Sequence, residues 1–86
     1  MAYAIIIKPA AEKSLDKVPF PVRRRIVDTM EALRTNPRPP GVVKLAGDDN
    51  LWRIRIGDYR VVYEIHDNRL IVLVLRVAHR KDVYRS

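Results

Sequence analysis

Arg53, Arg55 and Arg60 lie in the segment LWRIRIGDYRVVYEI, from Leu51 to Ile65, where apolar and polar residues alternate on either side of Gly57 and Asp58. A Gly-first two-residue loop favours a type II′ turn and predicts a tight β-hairpin. Counting outward from it pairs Ile56 with Tyr59, Arg55 with Arg60, Ile54 with Val61, Arg53 with Val62, and Trp52 with Tyr63. Side chains alternate between sheet faces, so the three arginines share the face opposite Trp52, Ile54, Ile56, Tyr59, Val61 and Tyr63. Like charges directly opposite each other destabilise a sheet by up to about 1 kcal/mol. A fold that keeps Arg55 against Arg60 is therefore expected to place an anion there. Guanidinium forks match phosphate oxygens in a bidentate way and stay protonated at physiological pH. The stretch AHRKDVYR, from Ala78 to Arg85, adds the imidazole of His79, the cation of Arg80 and the phenol of Tyr84. Such groups beside a phosphate are the ingredients for cleaving RNA through its own 2′-hydroxyl. Each donor aimed at the phosphoryl oxygens contributes about 10²–10³ in rate, and a positioned acid or base about 10²–10⁴.

These residues need a scaffold, and the rest of the chain predicts one. Ala2–Lys8 is rich in β-branched residues and reads as a strand. Pro9 suits the first turn of a helix, in which Ala11, Leu15 and Val18 recur at helical spacing up to Pro19. Pro21 opens a second helix, whose Val22, Ile26, Met30 and Leu33 form one apolar stripe. The run NPRPPG, from Asn36 to Gly41, ends it as a loop. Val42–Leu45 is a candidate short strand and Ala46–Asn50 a polar turn. The hairpin strands Leu51–Ile56 and Tyr59–His66 follow, then a turn at Asp67, Asn68 and Arg69, then Leu70–Val77. That last run lacks alternation, which predicts a strand central in the sheet or covered on both faces. The expected fold is α+β: an N-terminal strand and an αα-hairpin packed on an antiparallel sheet, as a single domain over residues 1–86.

The register of the last hairpin follows from charge burial. A two-residue loop would turn Arg76 into the core, where an unpaired cation costs several kcal/mol. A three-residue loop pairs Arg60 with Arg76 and sends Arg76 to the arginine face, with Arg80 to follow if the strand continues. Trp52, Tyr59 and Tyr63 read as core, His66 as an exposed residue before a turn, and Arg23, Arg24 and Arg25 as solvated helix surface.

The chain has 86 residues and a net charge of +7, from 17 basic and 10 acidic residues. The excess is spread along the chain rather than gathered in a tail, which favours a polyanionic partner and salt-sensitive association. There is no cysteine, so a disulfide framework and a thiolate zinc site are excluded. The apolar run from Tyr3 to Ile7 is too short for a membrane span or a signal-peptide core. A soluble cytoplasmic protein that touches no membrane is expected. Gly-rich phosphate loops, Ser-His-Asp sets and metal-ligand spacings are absent, so no cofactor is expected.

Lys44 and Leu45, the segment from Leu51 to Ile65, and VAHRKDVY from Val77 to Tyr84 together resemble the RelE branch of the RelE/ParE toxin superfamily. The resemblance extends over essentially the whole chain. It implies a microbial-RNase-like fold and a type II toxin that cleaves mRNA in the ribosomal A site, with ribosome and mRNA as partners and a cognate antitoxin to silence it. By position it puts Arg53 and Arg55 where RelE-type toxins hold basic active-site residues. Arg60 and Arg80 match the arginines on the scissile phosphate, and Tyr84 the C-terminal tyrosine that stacks on the base or assists proton transfer. The usual residues at positions 53 and 55 are lysines, one proposed as general base, and arginine is a poor proton acceptor. His79 is the natural substitute, since imidazole ordinarily titrates near neutrality, with Glu64 a distant second. The rival readings are a ParE-like inhibitor of DNA gyrase without nuclease activity and an inactive homologue that only binds antitoxin.

Overall fold

The computed structural model describes residues 2–45, 47 and 50–79. Its elements in chain order are β1 (Ala4–Ile7), α1 (Pro9–Asp16), α2 (Phe20–Ala32), β2 (Val43–Lys44), β3 (Leu51–Ile56), β4 (Tyr59–His66), a 3₁₀ turn (Asp67–Arg69) and β5 (Ile71–His79). Among the described residues no helix is long and apolar enough to cross a membrane.

Proline shapes both helices. Pro9 begins α1, where its missing N–H would have no intrahelical partner. Pro19 precedes α2 in an extended conformation, and Pro21 sits in its first turn. Ala11 and Leu15 of α1, and Ile26 and Met30 of α2, are buried, as are Val18 and Leu33 just beyond the helix ends. Each such aliphatic side chain taken out of water stabilises the fold by roughly 1.5–3 kcal/mol. The hairpin covers one face of a five-stranded sheet of order β1-β5-β4-β3-β2, where it meets Ile54, Ile56, Val61, Tyr63, Ile65, Val72, Val74 and Val77. Strands β2 to β5 form the expected antiparallel meander, and β1 joins it parallel to β5. The sheet is thereby mixed, and β5 lies inside it between β1 and β4. Its covering is one-sided: Val72 and Val74 are buried, whereas Ile71 and Leu73 on the opposite face are half-buried.

The β3–β4 register matches the sequence expectation at each of the five pairs, and Leu51 opposite Glu64 extends it. Gly57 has φ of +59°. Asp58 has no positive φ, as a type II′ turn requires. A side chain at position 57 would be strained whatever the space around it.

The β4–β5 pairing differs from expectation. Its loop holds four residues, the 3₁₀ turn plus Leu70, whose φ of 53° is left-handed. His66 then faces Ile71 and Tyr63 faces Val74. Continued in that register, Arg76 would follow Val72 and Val74 onto the helix-covered face. A bulge between Val62 and Tyr63 resets the pairing, so Val62, not Arg60, faces Arg76, and Arg60 faces Ala78. The cation is kept out of the core, but by an extra residue within the strand rather than by loop length. A bulge inserts one residue and flips every side chain after it, a possibility that loop counting does not include.

The far end of the sheet is closed by side chains. Arg38, from the proline-rich loop, donates to Asp67 from Nη2 at 2.9 Å and Nη1 at 3.2 Å, and the Tyr3 hydroxyl donates to the same carboxylate at 2.6 Å. The Arg38 guanidinium also lies over the Trp52 ring, 5.1 Å from its centroid. Buried Tyr63 donates to the Pro37 carbonyl at 2.8 Å, and its removal from water pushes its phenol up to about 12. Arg38, followed by Tyr3, holds the Asp67 carboxyl down at about 2.

Two outcomes follow. Gly57→Ala is expected to destabilise the chain by about 1 kcal/mol or more. In a domain of this size that lowers Tm by about 4–8 °C, readable by thermal melting. A depressed carboxyl pKa contributes stability that is present above the unfolded value near 4 and is lost as pH falls through the folded one. The Tm gap between wild type and Asp67→Asn is therefore constant above about pH 5 and closes as pH falls from about 4 to about 2. A gap unchanged down to pH 2 would show that Asp67 contributes nothing through its charge.

Candidate functional site

Residues of β3, β4 and β5 that point away from the helices build a cleft of about 300 Å³. Leu45, Leu51, Val62 and Ala78 supply apolar walls and floor, and Arg53, Arg60 and Arg76 surround them. Each arginine owes its place to the register. Arg53 lies opposite Val62, Val62 opposite Arg76, and Arg60 opposite Ala78. Among the described residues none that lines the cleft is acidic, so those residues form a cationic rim around a greasy floor. Phosphate oxygens suit the guanidinium forks, and a sugar or base suits the apolar surface between them.

Arg55 lies on the same face but leaves the cleft. It is exposed, and its Nε donates to the Gly57 carbonyl at 2.9 Å. That bond turns Arg55 toward the hairpin turn and relieves the repulsion with Arg60 opposite. The hairpin therefore presents two of its three arginines to the cleft, and β5 supplies the third.

His79 goes to the other face. It lies opposite Tyr59, meets the Tyr59 ring edge-on at a centroid distance of 5.0 Å, and lines a separate 260 Å³ depression with Ser14, Lys17, Val18 and Val77. The bulge that brings Arg76 out also takes His79 in, because the two are an odd number of residues apart. Arg80 and Tyr84 lie outside the described residues.

Sequence reasoning missed the pairing of Glu64 and His66. Both follow Arg60 and Val62 at two-residue steps along β4; that alternation puts Glu64 on the arginine face in the sequence reading, and the same signal could have placed His66 beside it. The His66 Nε2 stands 3.0 Å from Glu64 Oε1, with about a third of the His66 side chain and a quarter of the Glu64 side chain exposed. An ionised carboxylate only accepts hydrogen bonds, so the imidazole nitrogen is the donor. Among the described residues there is no group of three or more His, Asp or Glu that could hold a metal.

The αα-hairpin on a five-stranded mixed sheet is an architecture this chain shares with RelE toxins of known structure. The archaeal RelE–RelB complex from Pyrococcus horikoshii superimposes with a TM-score of 0.84 at 30% identity, covering 93% of this chain and 97% of that one. The intact RelBE toxin–antitoxin complex of E. coli gives 0.80 at 26% identity, over 91% and 96%. Toxin RelG of Mycobacterium tuberculosis is 33% identical over 91 residues, 99% of each protein. Residues 5–84 match the family described as the ParE toxin of the type II toxin–antitoxin system parDE. The chain belongs to this toxin family and is a RelE-like toxin of a type II toxin–antitoxin system.

If the cleft takes phosphate, the anion should stabilise the fold. Inorganic phosphate is expected to raise the wild-type Tm, by more than chloride at equal ionic strength. Arg53→Ala/Arg76→Ala should remove that difference while leaving Tm in chloride within a few degrees, since neither residue packs in the core. Equal phosphate responses in the two proteins would place the anion elsewhere.

Proposed function

We propose that this toxin is a ribosome-dependent endoribonuclease that cuts mRNA in the A site by attack of the RNA's own 2′-hydroxyl on the adjacent phosphate. The observation that carries the reading is the cleft: Arg53, Arg60 and Arg76 converge on one apolar-floored site. Fixed cations stabilise the charge that builds on the phosphoryl oxygens. The apolar floor positions the nucleotide without competing for the guanidinium groups. Arg80 and Tyr84 complete the set as a phosphate ligand and a base-stacking or proton-transferring phenol, as in the family pattern. The chemistry requires a 2′-hydroxyl, so RNA and not DNA is the substrate. The ribosome supplies the mRNA in a fixed conformation, and the net charge of +7 favours approach to ribosomal RNA. RelE–RelB complexes among the similar structures support a cognate antitoxin as the silencing partner in the cytoplasm.

The ParE description of the matching family keeps one other reading in play, inhibition of DNA gyrase without RNA cleavage. Induction of wild type and of Arg60→Ala, with mapping of mRNA 5′ ends on translated and untranslated messages, separates the two. Cuts within translated codons are expected, reduced about 10²–10³-fold in the variant. Growth arrest with intact mRNA and a DNA-damage response would favour the gyrase reading. Cuts in untranslated messages would remove ribosome dependence.

A further inference from the structure

The arginine cleft can hold a phosphate, but its guanidinium groups are poor proton acceptors, and His79 faces the other side of the sheet. We propose that Glu64 accepts the proton of the attacking 2′-hydroxyl and that His66 is the positioning residue that holds it for that task. The proposal rests on the nuclease reading above.

Four observations support it. Among the described residues Glu64 is the only acidic one in any of the five strands. It lies directly opposite Leu51, a wall of the cleft, and two residues beyond Val62, another lining residue. Cross-strand neighbours stand about 5 Å apart at Cβ, and two steps along a strand cover about 7 Å. Glu64 is therefore a neighbour of the cleft lining at Leu51 and Val62, on the same face as Arg60, without itself being a lining residue. Asp58 is in the hairpin turn, and Asp67 is engaged by Arg38 and Tyr3.

The third observation concerns Arg53, diagonal to Glu64 across the hairpin. A carboxylate so placed would ordinarily neutralise the guanidinium. Glu64 instead bonds His66 through Oε1, which leaves Oε2 as the carboxylate's second acceptor oxygen. Fourth, the orientation of a base by a hydrogen bond from a third group is a recurrent arrangement for proton transfer to or from a nucleophile.

The step balances as follows. The 2′ O–H bond breaks and its proton goes to Glu64 Oε2. The freed electron pair forms the 2′-O–P bond, and the P–O5′ bond breaks with its electrons leaving on the 5′ oxygen. That oxygen takes a proton from water, and Glu64 returns its proton to the hydroxide so formed. The products are a 2′,3′-cyclic phosphate and a 5′-hydroxyl end.

Single-turnover cleavage of mRNA on programmed ribosomes tests the assignment, using purified wild type, Glu64→Gln, His66→Gln and His66→Leu, each checked for folding by thermal melting. Glu64→Gln is expected to lower the cleavage rate constant about 10²-fold or more without changing the toxin concentration at half-saturation. His66→Leu should lower the rate constant about tenfold, and His66→Gln, whose amide still donates to Glu64, should recover most of it. A purely structural role for His66 would not give that rescue. Glu64→Gln cleaving at the wild-type rate overturns the assignment, as does a change confined to half-saturation. If Glu64→Gln does not fold, equal rates in the two His66 variants overturn it. Absence of cleavage by wild type is a different result, which ends the nuclease reading itself.

Discussion

Burying an unpaired guanidinium costs several kcal/mol, and this sheet has one face on which that cost must be avoided. The αα-hairpin covers that face completely enough that Tyr63, Val61, Val72 and Val74 are almost wholly excluded from water. Every arginine in β3, β4 and β5 must therefore point the other way. In β3 and β4 strict alternation achieves this. In β5 it is achieved by the bulge that restores Arg76 to the open face after Val72 and Val74 have been packed inward. The cationic cleft is thus a consequence of core formation: residues excluded from one face are gathered on the other.

Gathering like charges has its own cost, and the structure shows two ways of lowering it. Arg55 turns to the carbonyl of Gly57, so the directly opposed pair does not project two guanidinium groups into one space. The remaining cations are spread over three strands, with Arg53, Arg60 and Arg76 separated by apolar side chains. A carboxylate could have relieved the repulsion further, but Glu64 is bonded to His66. Three guanidinium groups thus line one cleft, an arrangement that suits an anionic ligand. The clamp of Arg38, Asp67 and Tyr3 at the other end of the sheet has the opposite character. There the charges are paired locally, and they fasten the proline-rich loop and the β4–β5 turn to the start of β1.

The chain shares its architecture with RelE toxins, while the resemblance implies lysines where Arg53 and Arg55 stand. An arginine in place of a lysine keeps the charge and improves bidentate phosphate binding, but removes a group whose proton can be lost. On the proposed nuclease reading, the proton acceptor must then come from elsewhere on the open face. The geometry of β4 offers Glu64 and His66 for that position, and it directs His79 into contact with Tyr59 instead.

Much was legible without coordinates, for physical reasons that can be named. The β3–β4 hairpin could be read pair by pair because Gly57 and Asp58 fix its turn and alternation fixes its faces. The helices could be read because their stripes run from proline to proline. The parallel docking of β1 on β5, the four-residue loop ending in left-handed Leu70, and the bulge could not be read. Each depends on contacts between segments distant in sequence, and each is locally indistinguishable from its alternatives. The sequence by itself determined that arginines would share a face, since period two and the cost of burying charge leave no other arrangement. Only the tertiary structure decided which groups meet there. One extra residue in β5 brings Arg76 into the cleft and sends His79 to the helices, and a two-residue step along β4 brings Glu64 and His66 together.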